Sequence, residues 1–321
     1  MTDTPSTPSL PLIDIAGLRS SDPAERQAVA RELRSACERC GFFYIHNHGI
    51  DAGLIARVRA EAEQFFALPS ASKLAVDKAL SPCNRGYEPL RGQTLEAGSP
   101  PDLKEGFYIG IDLPEDHPSV LAGRFNQGPN QWPSDLPRFR DTMNEYFAAA
   151  YALSTLLMRG LALSLELPED HFAPFVADAS ATLRLLHYPP QPPQPAPGEK
   201  GCGAHTDFGA VTLLLQDDAG GLQVQAIDSE EWIDAPPIEG TYVVNLGDLI
   251  SRWTNDRYHS NLHRVINRSG RERYSVPFFF TGNLDLQVEC LPTCLAQGES
   301  PKYPPVSVEQ HLAECYRRTY G

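Results

Sequence analysis

Residues 205–217 have the sequence HTDFGAVTLLLQD, in which a histidine and a carboxylate two positions apart precede an apolar run. On a β-strand, residues i and i+2 project from the same face. His205 and Asp207 are therefore predicted to point into one cavity, while Thr206 points away. A His-x-Asp pair alone is a weak signal, because most histidines of a chain serve packing or solvation.

A third metal ligand is needed, and His263 at the start of a later strand is our preferred candidate. His259, four residues earlier, competes for the same role. Two imidazoles and one carboxylate leave open coordination positions and suit iron(II). These open positions are what oxygen activation requires, so the pattern predicts a non-haem iron site.

Arg273 and Ser275 form a second i, i+2 pair, ten residues beyond His263. A guanidinium fork and a hydroxyl on one strand face are suited to binding a carboxylate. The alternative is a surface arginine paired with a nearby acid. The apolar run Val276–Phe280 favours a buried strand, whose arginine needs a ligand.

Outward from these motifs, the chain after residue 180 consists of short candidate strands separated by turn residues. This spacing predicts a sandwich or barrel and not alternating β-α units. No glycine-rich nucleotide-binding motif is present. The predicted strands are 182–188, 210–216, 221–227, 242–246, 263–267, 274–280 and 284–291.

The first half of the chain predicts helices, a short strand and long loops. Asp22, followed by Pro23, is predicted to cap a helix that ends at Gly41, before a strand at 42–46. A second helix is predicted to start after Asp51, and a long amphipathic helix to cover about 136–165. Residues 81–133 are rich in Gly, Pro and Asn and are expected to form loops over a site.

The composition excludes several classes of protein. The net charge is 27 − 41 = −14, which opposes binding to nucleic acid. The polar N-terminus resembles no secretory signal, and the apolar run 146–158 is too short to span a bilayer, so we expect a cytoplasmic protein without a membrane partner. Seven scattered cysteines are typical of a reducing compartment, and the helical spacing of Cys37 and Cys40 favours packing over redox or zinc chemistry.

Several further segments, taken in order, make the chain resemble a known family. After HTDFG at 205–209 and TLLLQD at 212–217 come GGLQV at 220–224, VNLGD at 244–248, WTN at 253–255, HRV at 263–265 and RYS at 273–275. The N-terminal segments PLID at 11–14 and NHGI at 47–50 agree with them. Together they resemble the isopenicillin N synthase-like branch of the iron(II)/2-oxoglutarate-dependent dioxygenases, from about residue 10 to 295.

The resemblance implies a mainly β fold with flanking helices, whose core is a double-stranded β-helix (jelly roll) behind a mixed α/β N-terminal region. It implies His205, Asp207 and His263 as iron ligands, and Arg273 and Ser275 as the clamp for 2-oxoglutarate. Tyr188 aligns with a family tyrosine near the cosubstrate. The implied divisions are an N-terminal dioxygenase domain at 1–125, a packing helix at 126–179, the jelly roll at 180–295 and a C-terminal helical segment at 296–321.

The implied activity is an oxidoreductase that hydroxylates or desaturates a small molecule, with O2 and 2-oxoglutarate consumed and succinate and CO2 released. Antibiotic biosynthesis is one setting in which the family works, and related oxidases use ascorbate. Plant members have Asn where this chain has Leu186. A monomer and a homodimer are equally compatible with the sequence. The residues expected at the substrate pocket are Arg184, His187, Phe208, Trp253 and Phe280.

Three other functions remain open at this stage. An oxidase or cyclase of the isopenicillin N synthase type needs no 2-oxoglutarate and uses its Arg-x-Ser pair for a substrate carboxylate. A second possibility is breakdown of 2-oxoglutarate itself to ethylene. The third is a metal-containing sensor without turnover, which the carboxylate clamp argues against.

Overall fold

Most of the chain's strands belong to two facing sheets. The computed structural model describes residues 9–227 and 229–320, so most of the polar N-terminal segment lies outside the described residues. The strands are β1 Leu12–Asp14, β2 Phe42–His46, β3 Gly86–Glu88, β4 Glu105–Gly110, β5 Ser180–Tyr188, β6 Cys202–His205, β7 Val211–Gln216, β8 Leu222–Gln225, β9 Trp232–Asp234, β10 Tyr242–Leu246, β11 His263–Val265, β12 Arg273–Gly282, β13 Gln287–Val288 and β14 Val306–Ser307.

The larger sheet has eight strands in the order β1-β2-β10-β7-β12-β5-β4-β3, and the smaller has four in the order β6-β11-β8-β9. All pairs are antiparallel except β1 with β2. Neighbouring strands are often far apart in sequence, as expected of a jelly roll. The mainly β fold with flanking helices is confirmed.

The helices are α1 Pro23–Arg39, α2 Ala52–Phe66, α3 Ser70–Leu74, α4 Pro118–Leu121, α5 Phe139–Ser164, α6 Ala173–Val176, α7 Asp248–Trp253 and α8 Val308–Tyr320. Two helices, α2 and α5, pack on the outer face of the large sheet, and α1 packs on α5. The predicted caps are present, since the Asp22 carboxylate accepts from the Ala24 N–H and that of Asp51 from the Leu54 N–H.

The long helix α5 packs across the sheet. Its ring Phe147 contacts Phe278 of β12, and Tyr151 contacts Phe280, at centroid distances of 5.0 and 5.2 Å. By length and apolar composition alone it could also cross a membrane, but half of its most apolar window is buried inside the protein. The helix α5 is therefore a core helix of the fold. It is longer than the apolar run 146–158.

The predicted strands agree with the structure best where one face is continuously apolar. The strand predicted at 242–246 is confirmed to the residue, whereas the one predicted at 284–291 shrinks to Gln287–Val288. The loop-rich segment 81–133 contains β4, which pairs along β5 inside the large sheet. Strands on both sides of residue 125 thus share one sheet, and the proposed division at residues 125, 179 and 295 stays a prediction.

Gly41 lies in close backbone contact with His259. Its φ of 69° is left-handed, and its N–H donates to the Ala36 carbonyl oxygen, which ends α1. A Cβ at this position would lie 1.9 Å from the backbone oxygen of His259. The close approach brings the start of β2 against the segment that leads into His263.

We therefore expect Gly41→Ala to lower the free energy of unfolding by about 3 kcal/mol or more. The backbone oxygen of His259 cannot move aside as the end of a flexible side chain could. Gly123→Ala is the control. Gly123 also has positive φ, 64°, but nothing lies within 4 Å of its Cβ position, so only the conformational cost of about 1 kcal/mol remains. Urea unfolding measures both, and equal losses would contradict the argument.

Candidate active site

Three potential metal ligands converge between β6 and β11. His205 ends β6, His263 begins β11, and the two residues are directly opposed in an antiparallel pair. The Asp207 Oδ1 atom is 3.8 Å from Nε2 of each histidine, and the three ligand atoms lie within 4.8 Å of one another. His259 is not a member of this group, the one such His/Cys/Asp/Glu cluster found among the described residues.

The route by which Asp207 reaches the cluster differs from the prediction. We expected His205 and Asp207 to share a strand face, but β6 ends at His205 and Asp207 lies in the turn that follows. The cross-strand pairing of the two histidines aligns the imidazoles, and the turn supplies the carboxylate.

Hydrogen bonds orient both imidazoles for metal binding. His205 Nδ1 donates to the Gly203 carbonyl at 2.8 Å, and His263 Nδ1 donates to that of Asn261 at 3.3 Å. A proton held on Nδ1 leaves the Nε2 lone pair free as a ligand. Burial also lowers the pKa of both histidines, which keeps them neutral and able to coordinate.

Thr212 and Asn245 hold the carboxylate in place. They donate to Asp207 Oδ2 at 2.6 and 2.7 Å, which leaves Oδ1 to face the imidazoles. Burial alone would raise the pKa of Asp207, but the positive charge that either facing imidazole gains on protonation and the hydrogen bonds from Asn245 and Thr212 outweigh it and lower the pKa. The donor set fits iron(II), with one carboxylate oxygen and two imidazole nitrogens directed at a common point.

Arg273 lies on β12 with no exposed surface. Its guanidinium donates to the Gly220 carbonyl at 2.7 Å, the Ser275 hydroxyl at 3.2 Å and the Gln216 side-chain oxygen at 3.3 Å. Its carbon is 4.6 Å from the centroid of the Tyr188 ring. These three hydrogen-bond partners are all neutral, so the buried charge of Arg273 is suited to an anionic ligand.

Two adjoining cavities meet at the metal cluster. The inner cavity, about 550 Å³ with its opening to solvent included, runs from Arg273, Ser275 and Tyr188 to His205, Asp207 and His263. The outer cavity, about 650 Å³ by the same measure, extends from His205 and Asp207 to the C-terminal helix α8. A compound in the inner cavity can therefore contact the arginine and the metal cluster together, and a compound in the outer cavity approaches the metal from the other side.

Comparisons with known proteins agree with this arrangement. The family model described as the non-haem dioxygenase in morphine synthesis N-terminal matches residues 10–135, and that of the 2OG-Fe(II) oxygenase superfamily matches residues 179–282. A 2-oxoglutarate-Fe(II) type oxidoreductase, hxnY, of Emericella nidulans is 50% identical over 315 residues, which cover 97% of this chain and 90% of that protein. The chain belongs to the 2OG-Fe(II) oxygenase superfamily.

A second relative and a solved structure extend the comparison over the whole chain. Clavatol oxidase of Penicillium crustosum is 39% identical over 335 residues, 98% of each chain. The crystal structure of full-length Neurospora crassa T7H in complex with alpha-KG has a TM-score of 0.86 and 34% identity, covering 97% of this chain and 96% of that one. This oxygenase is an Fe(II)/2-oxoglutarate-dependent dioxygenase that acts on a small molecule.

Strand alternation decides which predicted pocket residues of the dioxygenase reach the cavities. Side chains at alternate positions of β5 and β12 face inward, and they include Arg184, Tyr188 and the unpredicted Phe279. Leu186, where plant members have Asn, is also inward-facing and lines the inner cavity. Phe208, in the turn after Asp207, lines the outer cavity as expected.

Three predicted pocket residues lie elsewhere. His187 has the opposite alternation on β5, so it points outward and bonds to Glu105 and Glu272 at 2.7 and 2.6 Å. Phe280 faces outward for the same reason and packs on Tyr151. Trp253, at the end of α7, lies in the outer core, where its ring is 4.8 Å from that of Phe175.

The C-terminal helix α8 contributes to the outer cavity, although no residue of this helix was predicted there from the sequence. Leu312 and Tyr316 line that cavity. His311 Nε2 donates to the Phe208 carbonyl at 3.0 Å, which ties the helix to the turn that carries Asp207. No local sequence pattern indicated this contact, because α8 begins at Val308, far along the chain from both His205 and His263.

Lys104, which lines the inner cavity, and its partner Asp102 are a second contribution that the sequence did not indicate. They form a buried ion pair, and Asp102 also accepts from the Gly203 N–H at 2.9 Å. Since Gly203 is the residue whose carbonyl accepts from His205, the pair supports the strand that positions this ligand. Loop residues with no periodic pattern gave no indication of this role.

For the metal cluster, we expect His205→Ala, Asp207→Ala and His263→Ala each to lose bound iron and activity. His259→Ala is the matched control and should retain both, because His259 lies outside the cluster. Elemental analysis after loading with iron(II) makes the comparison. Loss of iron in His259→Ala, with retention in His263→Ala, would contradict the assignment of the third ligand.

For the supporting hydrogen bonds, we expect Thr212→Val to weaken iron binding by about 10- to 100-fold while the fold is retained, because the volume is conserved and only the donor to Asp207 is lost. Competition with a chelator measures the affinity. The control is Thr155→Val, whose hydroxyl bonds to the Tyr151 carbonyl within α5. Equal iron affinities in Thr212→Val and Thr155→Val would show that Asp207 needs no support from Thr212.

Proposed function

We propose that His205, Asp207 and His263 hold iron(II), that Arg273 and Ser275 bind the distal carboxylate of 2-oxoglutarate, and that a small molecule in the outer cavity is hydroxylated or desaturated. The observation that carries this assignment is a buried guanidinium and a two-histidine, one-carboxylate cluster at opposite ends of one cavity. Iron, when bound, supplies the activation of dioxygen, coupled to conversion of 2-oxoglutarate to succinate and CO2.

The protein's own residues position and enclose the reactants. Arg273 receives the carboxylate farthest from the metal, and Ser275, 3.2 Å from the guanidinium, adds a hydroxyl donor beside it. The Tyr188 ring packs on the guanidinium and closes that end of the cavity. A dianion held at this end by charge can present its other end to the metal in only one orientation.

We also propose a cytoplasmic location and no nucleic-acid partner. All seven cysteines are unpaired, which supports a reducing compartment. The net charge of −14 supports the absence of a nucleic-acid partner.

Anaerobic addition of iron(II) and then 2-oxoglutarate tests the proposal, and we expect the weak visible charge-transfer band of the chelate. Admission of oxygen should then release succinate slowly, and faster once a substrate fills the outer cavity. Bound iron with neither band nor succinate would favour the 2-oxoglutarate-independent oxidase or the sensor. Fast succinate release without substrate, together with ethylene, would favour the ethylene-forming reaction.

For the clamp, we expect Arg273→Ala to weaken binding of 2-oxoglutarate to the anaerobic iron complex by about 2–5 kcal/mol, because the buried carboxylate loses its charged partner. Arg273→Lys should weaken binding of 2-oxoglutarate nearly as much, since an ammonium cannot form the two parallel hydrogen bonds of a guanidinium. Arg271→Ala is the control, because Arg271 is exposed and pairs with Asp218 at the surface. Titration of the charge-transfer band gives the affinities, and an unchanged affinity in Arg273→Ala would contradict the clamp.

A further inference from the structure

The strand β6, which ends at the ligand His205, is an edge strand of the smaller sheet within the described residues. A loop of the N-terminal region, residues 93–102, bonds to its backbone, and we call this segment the edge loop. The Asp102 N–H donates to the Gln93 carbonyl oxygen at 2.8 Å, which closes the edge loop at its base. A strand edge without a neighbouring strand leaves backbone N–H groups to be satisfied in other ways.

Two carboxylates of the edge loop accept hydrogen bonds from consecutive N–H groups of β6. The Glu96 carboxylate accepts from the Ala204 N–H at 2.9 Å, and that of Asp102 accepts from the Gly203 N–H at 2.9 Å. A hydrogen bond to an ionised acceptor is roughly twice as strong as one between neutral groups. The edge loop therefore holds the two residues that directly precede His205.

Lys200 fixes the Glu96 carboxylate in this position. Its ammonium lies 2.9 Å from Glu96 Oε2, the same oxygen that accepts from the Ala204 N–H. Burial raises the pKa of Glu96, but the Ala204 N–H and the Lys200 ammonium outweigh burial and lower the pKa. Glu96 is thus an ionised acceptor at neutral pH, held from two sides.

The edge loop also lies in direct contact with the backbone of β6. A Cβ at Gly203 would lie 2.7 Å from the Cβ of Glu96 and 2.9 Å from its backbone nitrogen. A glycine in a strand permits such a close approach of another backbone. The Gly203 carbonyl accepts from His205 Nδ1 at 2.8 Å, so the residue that Glu96 contacts also orients the ligand.

Leu95 brings the edge loop to the active site itself. Its half-buried side chain lines both cavities, as do His205 and Asp207. Leu95 therefore lies at the junction where the two cavities meet the metal cluster. Glu96 is the next residue, and it does not belong to the described residues that line either cavity. Glu96 can thus act on the site in two ways, through the strand of His205 or through Leu95 as a cover.

We propose that Glu96 is a positioning residue of the iron site, which acts on His205 through its hydrogen bond to the Ala204 N–H. The inference rests on the proposed function and adds a residue that touches neither the metal position nor the cosubstrate cavity. A ligand whose strand can shift is less well directed at the metal, and its affinity for the metal falls. The strand is favoured over the cover because both N–H groups and the close contact at Gly203 lie on β6.

The test measures iron(II) affinity by competition with a chelator. We expect Glu96→Ala to weaken iron binding by about tenfold, because the Ala204 N–H loses its acceptor. Glu96→Gln should retain most of the affinity, since the amide oxygen can still accept from that N–H although the ion pair with Lys200 is lost. The charge-transfer band of the anaerobic 2-oxoglutarate complex should shift in Glu96→Ala and keep its native position in Glu96→Gln. A change in folding stability alone would not move the band.

Two controls separate this role from the alternatives. Leu95→Ala retains the bonds of Glu96 and should bind iron as the native protein does, whereas a cover acting through Leu95 would make its loss equal that of Glu96→Ala. Glu299→Ala removes a comparable carboxylate, which accepts from the Ala296 N–H at 3.0 Å outside both cavities, and should also keep the native affinity.

The proposal is overturned if Glu96→Ala binds iron as tightly as the native protein, or if Glu96→Gln loses as much affinity as Glu96→Ala. It is also overturned if either control loses as much as Glu96→Ala. A native charge-transfer band beside any of these results leaves the proposed function standing. Absence of the band in the native protein contradicts the proposed function, and the iron affinities still decide the role of Glu96.

Discussion

Arg273 carries a charge with none of its surface exposed to solvent, and the active site is arranged around this constraint. A buried guanidinium is costly unless an anion compensates it, and the oxygens of Gly220, Ser275 and Gln216 that accept from Arg273 are neutral. The cavity that runs from it to the metal cluster therefore suits a ligand with a carboxylate at its far end. Asp207, which is also buried at the other end, is compensated in part by its two donors and is suited to a cation. The two buried charges lie at opposite ends of one cavity, which fits an anionic cosubstrate and a metal cation in one site.

The family motifs that surround the ligands have identifiable physical roles. Thr212 and Asn245, from TLLLQD and VNLGD, both hold Asp207, and Gly220, from GGLQV, accepts from Arg273. Asp248, at the end of VNLGD, donates its N–H to the Asp207 carbonyl at 2.8 Å. The motifs are thus mainly a scaffold of hydrogen bonds that orients a few reactive groups. A supporting donor also affects metal affinity, because a misdirected carboxylate binds metal poorly.

The period-2 alternation of β5 and β12 separates the site from the helical core. Arg184, Leu186 and Tyr188 face the cavities, whereas His187 packs outward among carboxylates under α2. The same rule places Phe279 inward and Phe280 outward. The rule that suggested the Arg273–Ser275 clamp, applied along both strands, excludes His187 and Phe280 from the pocket. Trp253 could not be placed in this way, because its position depends on how α7 packs on Phe172 and Phe175.

The sequence by itself determined the chemistry of the site, the family, the caps of α1 and α2, and most strands after residue 180, because these depend on side-chain types and spacings within a few residues. Only the tertiary structure decided that His205 lies opposite His263, that Asp207 arrives from a turn, and that His259 stays outside the cluster. It also decided that β4 joins the large sheet and that Lys104 and α8 contribute to the cavities. Sheet order and register between distant segments set these contacts, and no local pattern carries that information.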